Sequence, residues 1–191
     1  MSMPKILVMP GSTRTGSHNV KLAALATKEL TLIDADVTRI SLADYEMPIY
    51  NGDLEKEEGI PENGTRLAKM IAAHQGVFIA TPEYNNSVPP LLKNTIDWVS
   101  RVEATGEIRY RNRVYAIGST SDGMIGGARA LIDLRKIVLT ALGAILIPTK
   151  IEVSRAQDAF DESGELTVEP VSKLLKRLCR QLVDLSARLA D

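Results

Sequence analysis

Short apolar runs alternate with longer amphipathic segments along this chain. That alternation is the pattern of repeated βα units and a parallel sheet. Strands are predicted at Lys5–Met9, Asp36–Ile40, Gly76–Ala80, Arg113–Gly118 and Ala144–Ile147. Gly76-Val77-Phe78-Ile79-Ala80 and Val114-Tyr115-Ala116-Ile117 are continuously apolar, as central strands covered on both faces must be. Helices are predicted near 18–32, 61–74, 88–100, 126–142 and 170–190. In the last, Leu175, Leu178, Leu182, Leu185 and Leu189 share a face, while Lys173, Lys176, Arg177, Arg180 and Arg188 spread over the rest as a solvated surface. The stretch Leu42–Pro61 contains Pro48, Gly52, Gly59 and Pro61 and reads as mostly loop. Its Tyr45, Met47, Ile49 and Tyr50 either cover the edge of a site or pack down on the domain. Five parallel strands with intervening helices suit a doubly wound, three-layer α/β/α sandwich. Ligands bind such sheets beyond the carboxyl ends of the strands, where connectivity reverses. The loops to inspect are therefore 10–18, 81–88 and 119–126.

Composition narrows the class. The 191 residues, 45% of them hydrophobic, can bury one sizeable core, so residues 1–191 are expected to form a single domain. The net charge of -1, with acids and bases mixed, gives no footprint for nucleic acid. No apolar stretch approaches the roughly 20 residues of a membrane span. The N-terminus enters a strand directly and lacks a signal-peptide pattern, which points to a cytoplasmic protein. Cys179, the single cysteine, sits among Leu175, Leu178 and Leu182 and reads as a buried structural thiol. With one cysteine and only His18 and His74, no metal site is expected.

Residues 10–19, Pro-Gly-Ser-Thr-Arg-Thr-Gly-Ser-His-Asn, lie between the first strand and the first helix. The first N–H groups of a helix lack carbonyl partners and carry partial positive charge, so such a junction can cradle an anion. Gly11 and Gly16 allow close approach; Ser12, Thr13, Ser17 and Asn19 offer neutral donors, and Arg14 adds a planar cation. A Walker A loop would need Lys and Ser/Thr directly after Gly16, where Ser17 and His18 stand. A dinucleotide fingerprint would need further glycines after Gly11, where Ser12 and Thr13 stand. What remains suits a terminal phosphate monoester. The bland alternative is an ordinary polar strand-to-helix loop.

The second loop runs Thr81-Pro82-Glu83-Tyr84-Asn85-Asn86-Ser87-Val88-Pro89-Pro90 and leads into Leu91-Leu92-Lys93-Asn94-Thr95-Ile96-Asp97-Trp98. A polar turn carrying one aromatic ring can hold a flat heterocycle, with backbone groups reading its edge and Tyr84 packing on its face. Asn85 and Ser87 can equally serve only as caps of the next helix. Ile96 and Trp98 read as core or subunit contacts. The third loop, Ser119-Thr120-Ser121-Asp122-Gly123-Met124-Ile125-Gly126-Gly127, offers small residues and backbone donors.

Together these motifs resemble the NADPH-dependent FMN reductase family. The match is carried by Gly-Ser-Thr-Arg-x-x-Ser-x-Asn after the first strand. It is reinforced by Pro-Glu-Tyr-Asn-x-Ser-x-Pro-x-x-Leu-Lys-Asn-x-x-Asp-Trp after the third, and it extends over roughly Lys5 to Ala144. The resemblance implies a flavodoxin-like sheet of strand order 2-1-3-4-5 with bound FMN and NADPH or NADH as co-substrate. Carried over residue by residue, Ser12, Arg14, Ser17 and Asn19, with the adjoining His18, would hold the phosphate. Pro82, Glu83, Tyr84 and Asn85 would line the ring and ribityl side with Ser87 nearby, and Ser119, Ser121 and Gly123 would complete the pocket. Asp122 departs from the neutral or proline-containing turn to which many relatives are similar at this position. The resemblance further implies a homodimer or homotetramer and a small-molecule electron acceptor: a quinone, chromate, an azo compound or free flavin.

No catalytic side chain is expected, because a flavin carries the electrons and the protein supplies orientation and exclusion of water. Tyr84 would shape the face that the acceptor meets, in a ping-pong exchange with two-electron transfer. Arg101, Arg109 and Arg111 either meet NADPH phosphates, reach a partner subunit, or solvate the surface. Two rivals share the fold: a flavodoxin-type electron carrier and a flavin-binding regulatory module. Carriers tend to be strongly acidic for docking, and this chain is nearly neutral.

Overall fold

The computed structural model describes residues 3–104 and 111–189. In chain order the elements are β1 (Lys5–Pro10), α1 (His18–Thr31), β2 (Asp36–Arg39), α2 (Gly52–Glu58), α3 (Glu62–Ala72), β3 (Gly76–Thr81) and α4 (Pro90–Ala104). They continue as β4 (Val114–Thr120), α5 (Ala128–Thr140), β5 (Ile145–Leu146), β6 (Ile151–Val153), α6 (Ala156–Ala159) and α7 (Glu169–Arg188). The strands pair in parallel in the order β2-β1-β3-β4-β5, the expected flavodoxin-like order.

The period-2 alternation of the strands builds two cores, one on each face of the sheet. Ile6 and Val8 of β1, Phe78 and Ala80 of β3, and Val114 and Ala116 of β4 pack with Leu22 and Leu30 of α1 and Leu175, Leu178 and Leu182 of α7. Leu7 and Met9, Val77 and Ile79, and Tyr115 and Ile117 face the other way. There they meet Leu67 and Ile71 of α3, Leu92 and Ile96 of α4, and Leu131 and Leu134 of α5. Every residue of β3 and β4 is buried, which accounts for their uninterrupted apolar runs.

Two expectations need correction. The fifth sheet position is not one strand over Ala144–Ile147 but two short ones. Ile145 and Leu146 pair with Val114 and Tyr115, while Ile151–Val153 pair with Gly118–Thr120 farther along β4. Pro148 falls between them and cannot donate to the ladder. Gly118 lets β6 come close, since a Cβ there would stand 2.6 Å from Ile151 Cγ2. The stretch Leu42–Pro61 is also less irregular than expected. It holds a 3-10 turn at Leu42–Tyr45 and the two-turn helix α2, whose start is capped by the Asn51 side chain accepting from Asp53 N at 2.8 Å. No residue of α2 is buried, so it offers no apolar periodicity to read.

The segment ahead of α2 packs down on the domain through α4. Trp98 Nε1 donates to Pro48 O at 2.7 Å, and Tyr50 N donates to Asn94 Oδ1 at 2.8 Å. Tyr50 meets the fully buried Trp98 ring edge-on at 5.0 Å. Arg101 is engaged at the same place, its Nε donating to Glu55 Oε1 at 2.8 Å, while Arg109 lies outside the described residues. Cys179 is fully buried, and that burial, with Glu29 nearby, pushes its thiol pKa up to about 12. It is an inert core thiol.

Candidate functional site

A cleft of about 220 Å³ opens at the carboxyl edge of the sheet, where the β1–α1, β3–α4 and β4–α5 loops converge. Its walls are formed by Ser12, Arg14, Ser17, His18 and Asn19 from the first loop and helix start, Pro82, Glu83 and Tyr84 from the second, and Thr120, Ser121 and Asp122 from the third. This is the crossover edge between β1 and β3, where the connectivity reverses.

The first loop leaves the start of α1 open. Gly16 turns the chain with φ 70°, a left-handed conformation that suits glycine. Ser17 is the N-cap and is almost fully buried, yet its hydroxyl caps none of the first amides, and no acidic residue occupies the first turn. Helix-start amides in that state present positive partial charge to the cleft. Arg14 is exposed in the same loop, pairs with no carboxylate among the described residues, and its guanidinium makes a long 3.5 Å contact to Thr15 O. Phosphate fits this donor set by charge and by geometry.

Asn19 has a different local task. Its Nδ2 donates to Thr120 O at 2.9 Å, and its Oδ1 accepts from Thr120 N at 3.0 Å. Both bonds are buried and span 101 residues of sequence, so this amide clips the first loop to the end of β4. Thr120 itself is only 2% exposed, and its Oγ1 has no partner among the described residues. A buried hydroxyl left unbonded in a cleft wall is a group that a polar ligand can satisfy.

The second loop is a tight turn. Tyr84 and Ser87 exchange backbone hydrogen bonds at 3.0 and 3.1 Å, and Asn85 and Asn86 between them have φ 49° and 65°. Asparagine tolerates consecutive left-handed positions, as a turn of this hand requires. The turn lifts the Tyr84 ring to 47% exposure at the mouth of the cleft. Glu83 does not face solvent: its Oε2 accepts from Arg129 N at 2.9 Å and Ala130 N at 3.1 Å, capping α5. Arg129 Nη1 also donates to Asn86 Oδ1 at 3.0 Å, tying the turn to the same helix.

From the third loop, Asp122 Oδ1 approaches to 3.6 Å of His18 Nε2 at the start of α1. Gly127 has φ 82°, and a Cβ there would stand 1.8 Å from Ser119 Oγ. Only glycine fits.

The cleft thus gathers Ser12, Arg14, Ser17, His18, Asn19, Pro82, Glu83, Tyr84 and Ser121 from the sequence reading. Asn85 and Gly123 stand exposed outside its lining, Ser119 is buried beneath the loop, and Ser87 turns away to donate to Asp133 Oδ2 at 2.6 Å. Thr120 was not singled out, although its place as the last residue of an apolar strand at the site edge is a usable signal. Asp122, which departs from the neutral turn at this position, also lines the cleft. No group of three or more His, Cys, Asp or Glu residues among the described ones can hold a metal ion.

Comparison with known proteins gives a consistent picture. The profile of a family described as NADPH-dependent FMN reductase matches residues 4–158. The chain is 38% identical over 136 residues to a quinone reductase of Escherichia coli (strain K12), spanning 71% of this chain and 69% of that one. It is 34% identical over 179 residues to an NAD(P)H-dependent FMN reductase of Pseudomonas aeruginosa, spanning 93% and 92%. Among solved structures it is similar to a flavoenzyme NAD(P)H:(acceptor) oxidoreductase from Paracoccus denitrificans. That similarity has a TM-score of 0.80 and 29% identity, covering 97% of this chain and 98% of the other.

Proposed function

The chain belongs to the NADPH-dependent FMN reductase family, and from that premise we propose that this FMN-dependent NAD(P)H oxidoreductase reduces small quinones in a ping-pong cycle. One observation carries the reading: an open helix start beside Arg14, which has no carboxylate partner among the described residues, shares a cleft with an exposed tyrosine ring. The first is a place for a phosphate, the second a place for a flat ring. When bound, FMN would supply the redox chemistry, as a hydride acceptor toward NAD(P)H and a two-electron donor toward an acceptor, and the chain would supply its binding and orientation. Ser12, Arg14, Ser17 and the first amides of α1 would hold its phosphate, with Thr120 Oγ1 available to a polar group nearby. Glu83 and Asn19 keep the three loops in register, and Tyr84 bounds the side from which nicotinamide and acceptor enter in turn.

The names of several relatives support quinones as acceptors, since two are a quinone reductase and a 2-hydroxy-1,4-benzoquinone reductase. Chromate, azo compounds and free flavin are the further acceptors to be compared. No helix among the described residues is long and apolar enough to cross a membrane. We place the protein in the cytoplasm as a single FMN-binding domain that assembles as a homodimer or homotetramer. The test is steady-state oxidation of NADPH and of NADH by the FMN-loaded protein with varied benzoquinone. Parallel double-reciprocal lines are expected. Intersecting lines would refute the ping-pong order, and failure of either nicotinamide to be oxidised would favour the electron carrier.

A further inference from the structure

One wall of the cleft carries a charge that a phosphate site does not call for. Asp122 lines it with its side chain 66% exposed, and a carboxylate beside a bound phosphate repels it unless the carboxylate has another partner. The group it approaches is His18, whose Nε2 stands 3.6 Å from Asp122 Oδ1. His18 is the first residue of α1 and lines the same cleft. Two elements hold its ring. Asp122 meets it from the β4–α5 loop, and the Phe160 ring stacks on it nearly parallel, 9° apart in plane with 6.3 Å between centroids. Phe160 in turn packs against the core that α1 and α7 share. The other ring nitrogen, Nδ1, is buried and has no hydrogen-bond partner among the described residues.

The two nitrogens set a condition. Neutral imidazole has one N–H and one lone pair, so a ring that turns its N–H toward Asp122 through Nε2 keeps only a lone pair at Nδ1. A phosphate oxygen also brings lone pairs and cannot pair with it. Only the imidazolium donates at both nitrogens. At the start of a helix, with Arg14 lining the same cleft, a second positive charge is unfavourable until an anion arrives. A phosphate dianion reverses that balance.

We propose that His18 is a second cation for the FMN phosphate, that Asp122 is its positioning residue, and that loading the flavin draws a proton from solvent onto His18 Nδ1. The proposal rests on the phosphate site at the start of α1 and deepens it. Asp122 keeps Nε2, so the new N–H at Nδ1 is the one offered to the ligand. The remaining charged groups on the elements around the ring are committed or solvated. Glu83 caps α5, and Asp161 beside Phe160 accepts from Ser163 Oγ and Glu165 N. Lys21, Arg155 and Asp158 are exposed. Histidine is the group among them whose charge changes near neutral pH.

Calorimetric titration of the apoprotein in two buffers of different ionisation enthalpy reads that proton directly. At about pH 7.5, above the second phosphate ionisation near about 6, FMN should take up between about half a proton and one, and riboflavin none. From about pH 7 to about pH 9 the FMN dissociation constant should rise about tenfold for wild type and stay level for His18→Gln. An acid that merely repels the ligand would make Asp122→Asn bind FMN more tightly. The positioning role predicts the opposite: binding about threefold to tenfold weaker, with less proton uptake. Riboflavin affinity should be unchanged in both variants. No uptake with FMN, equal uptake with both flavins, or a pH profile as steep in His18→Gln as in wild type would overturn the proposal and leave the phosphate site standing. Tighter binding by Asp122→Asn would overturn the role of Asp122. Equal affinity for FMN and riboflavin throughout would overturn the phosphate site, and the proposal with it.

Discussion

The helix after β1 and the helix after β4 both begin at the carboxyl edge of the sheet, yet only the second has its first amides taken up by a side chain. At α5 the Glu83 carboxylate accepts from Arg129 N and Ala130 N and supplies a negative charge where the helix dipole is positive. At α1 the N-cap Ser17 makes no such bond, the first turn carries no acid, and the cation of Arg14 lines the same cleft. Two helix starts at one edge of the sheet therefore differ in kind. One is closed by the protein and is structural. The other is left for an anion from outside. A helix start alone says little about binding; whether a side chain already fills it decides.

Breaking the ties that hold the comparison together should give the largest effect. Asn19→Ala removes the clip and leaves Thr120 N–H and C=O buried without that partner, costing about 1–3 kcal/mol for each group. Denaturant unfolding of the apoprotein should show a clear loss of stability. An unchanged midpoint would mean that the clip carries no load.

Arg14→Ala comes next and acts on the ligand rather than the fold. A charge-assisted hydrogen bond contributes about 1.5–3 kcal/mol, so FMN affinity should fall about tenfold to a hundredfold. The thermal midpoint of the apoprotein should hardly move, because Arg14 is exposed and has no carboxylate partner among the described residues. A large drop in that midpoint would show Arg14 to be structural.

The smallest effect falls on the closed helix. Glu83→Ala removes the cap of α5 and should cost about 0.5–2 kcal/mol of stability. Glu83→Gln retains an acceptor and should recover part of it. Since Glu83 faces α5 amides and not the start of α1, FMN affinity should respond less to Glu83→Ala than to Arg14→Ala. The reverse order, read by fluorescence titration, would undo the contrast between the two helices.

Much of this was legible in the sequence, for identifiable reasons. Strands β1, β3 and β4 are runs covered on both faces, so hydrophobicity alone marks them, and the loops that follow them locate the cleft. Helix α2 was hidden because none of its residues is buried; only Asn51 before it and Gly59 after it mark its ends. Strand β5 lies within the predicted Ala144–Ile147, but β6 was hidden because it pairs farther along β4, a fact of register with no local signature. Within the site, the polar residues lie at the sheet edge, and two of them have partners that the sequence does not reveal. Asn19 looked like a ligand donor and is tied at both ends to Thr120, 101 residues away. Glu83 reads as part of a ring-binding turn and caps a helix from a neighbouring loop. Tertiary hydrogen bonds of this range leave no periodic trace.

The central claim is that the open start of α1 with Arg14 is the phosphate site of FMN. It is tested most directly by calorimetric titration of the apoprotein with FMN and, separately, with riboflavin, which lacks the phosphate. One FMN should bind per chain, and riboflavin should bind at least about a hundredfold more weakly, as the loss of several charge-assisted hydrogen bonds requires. Equal dissociation constants for the two flavins would contradict it.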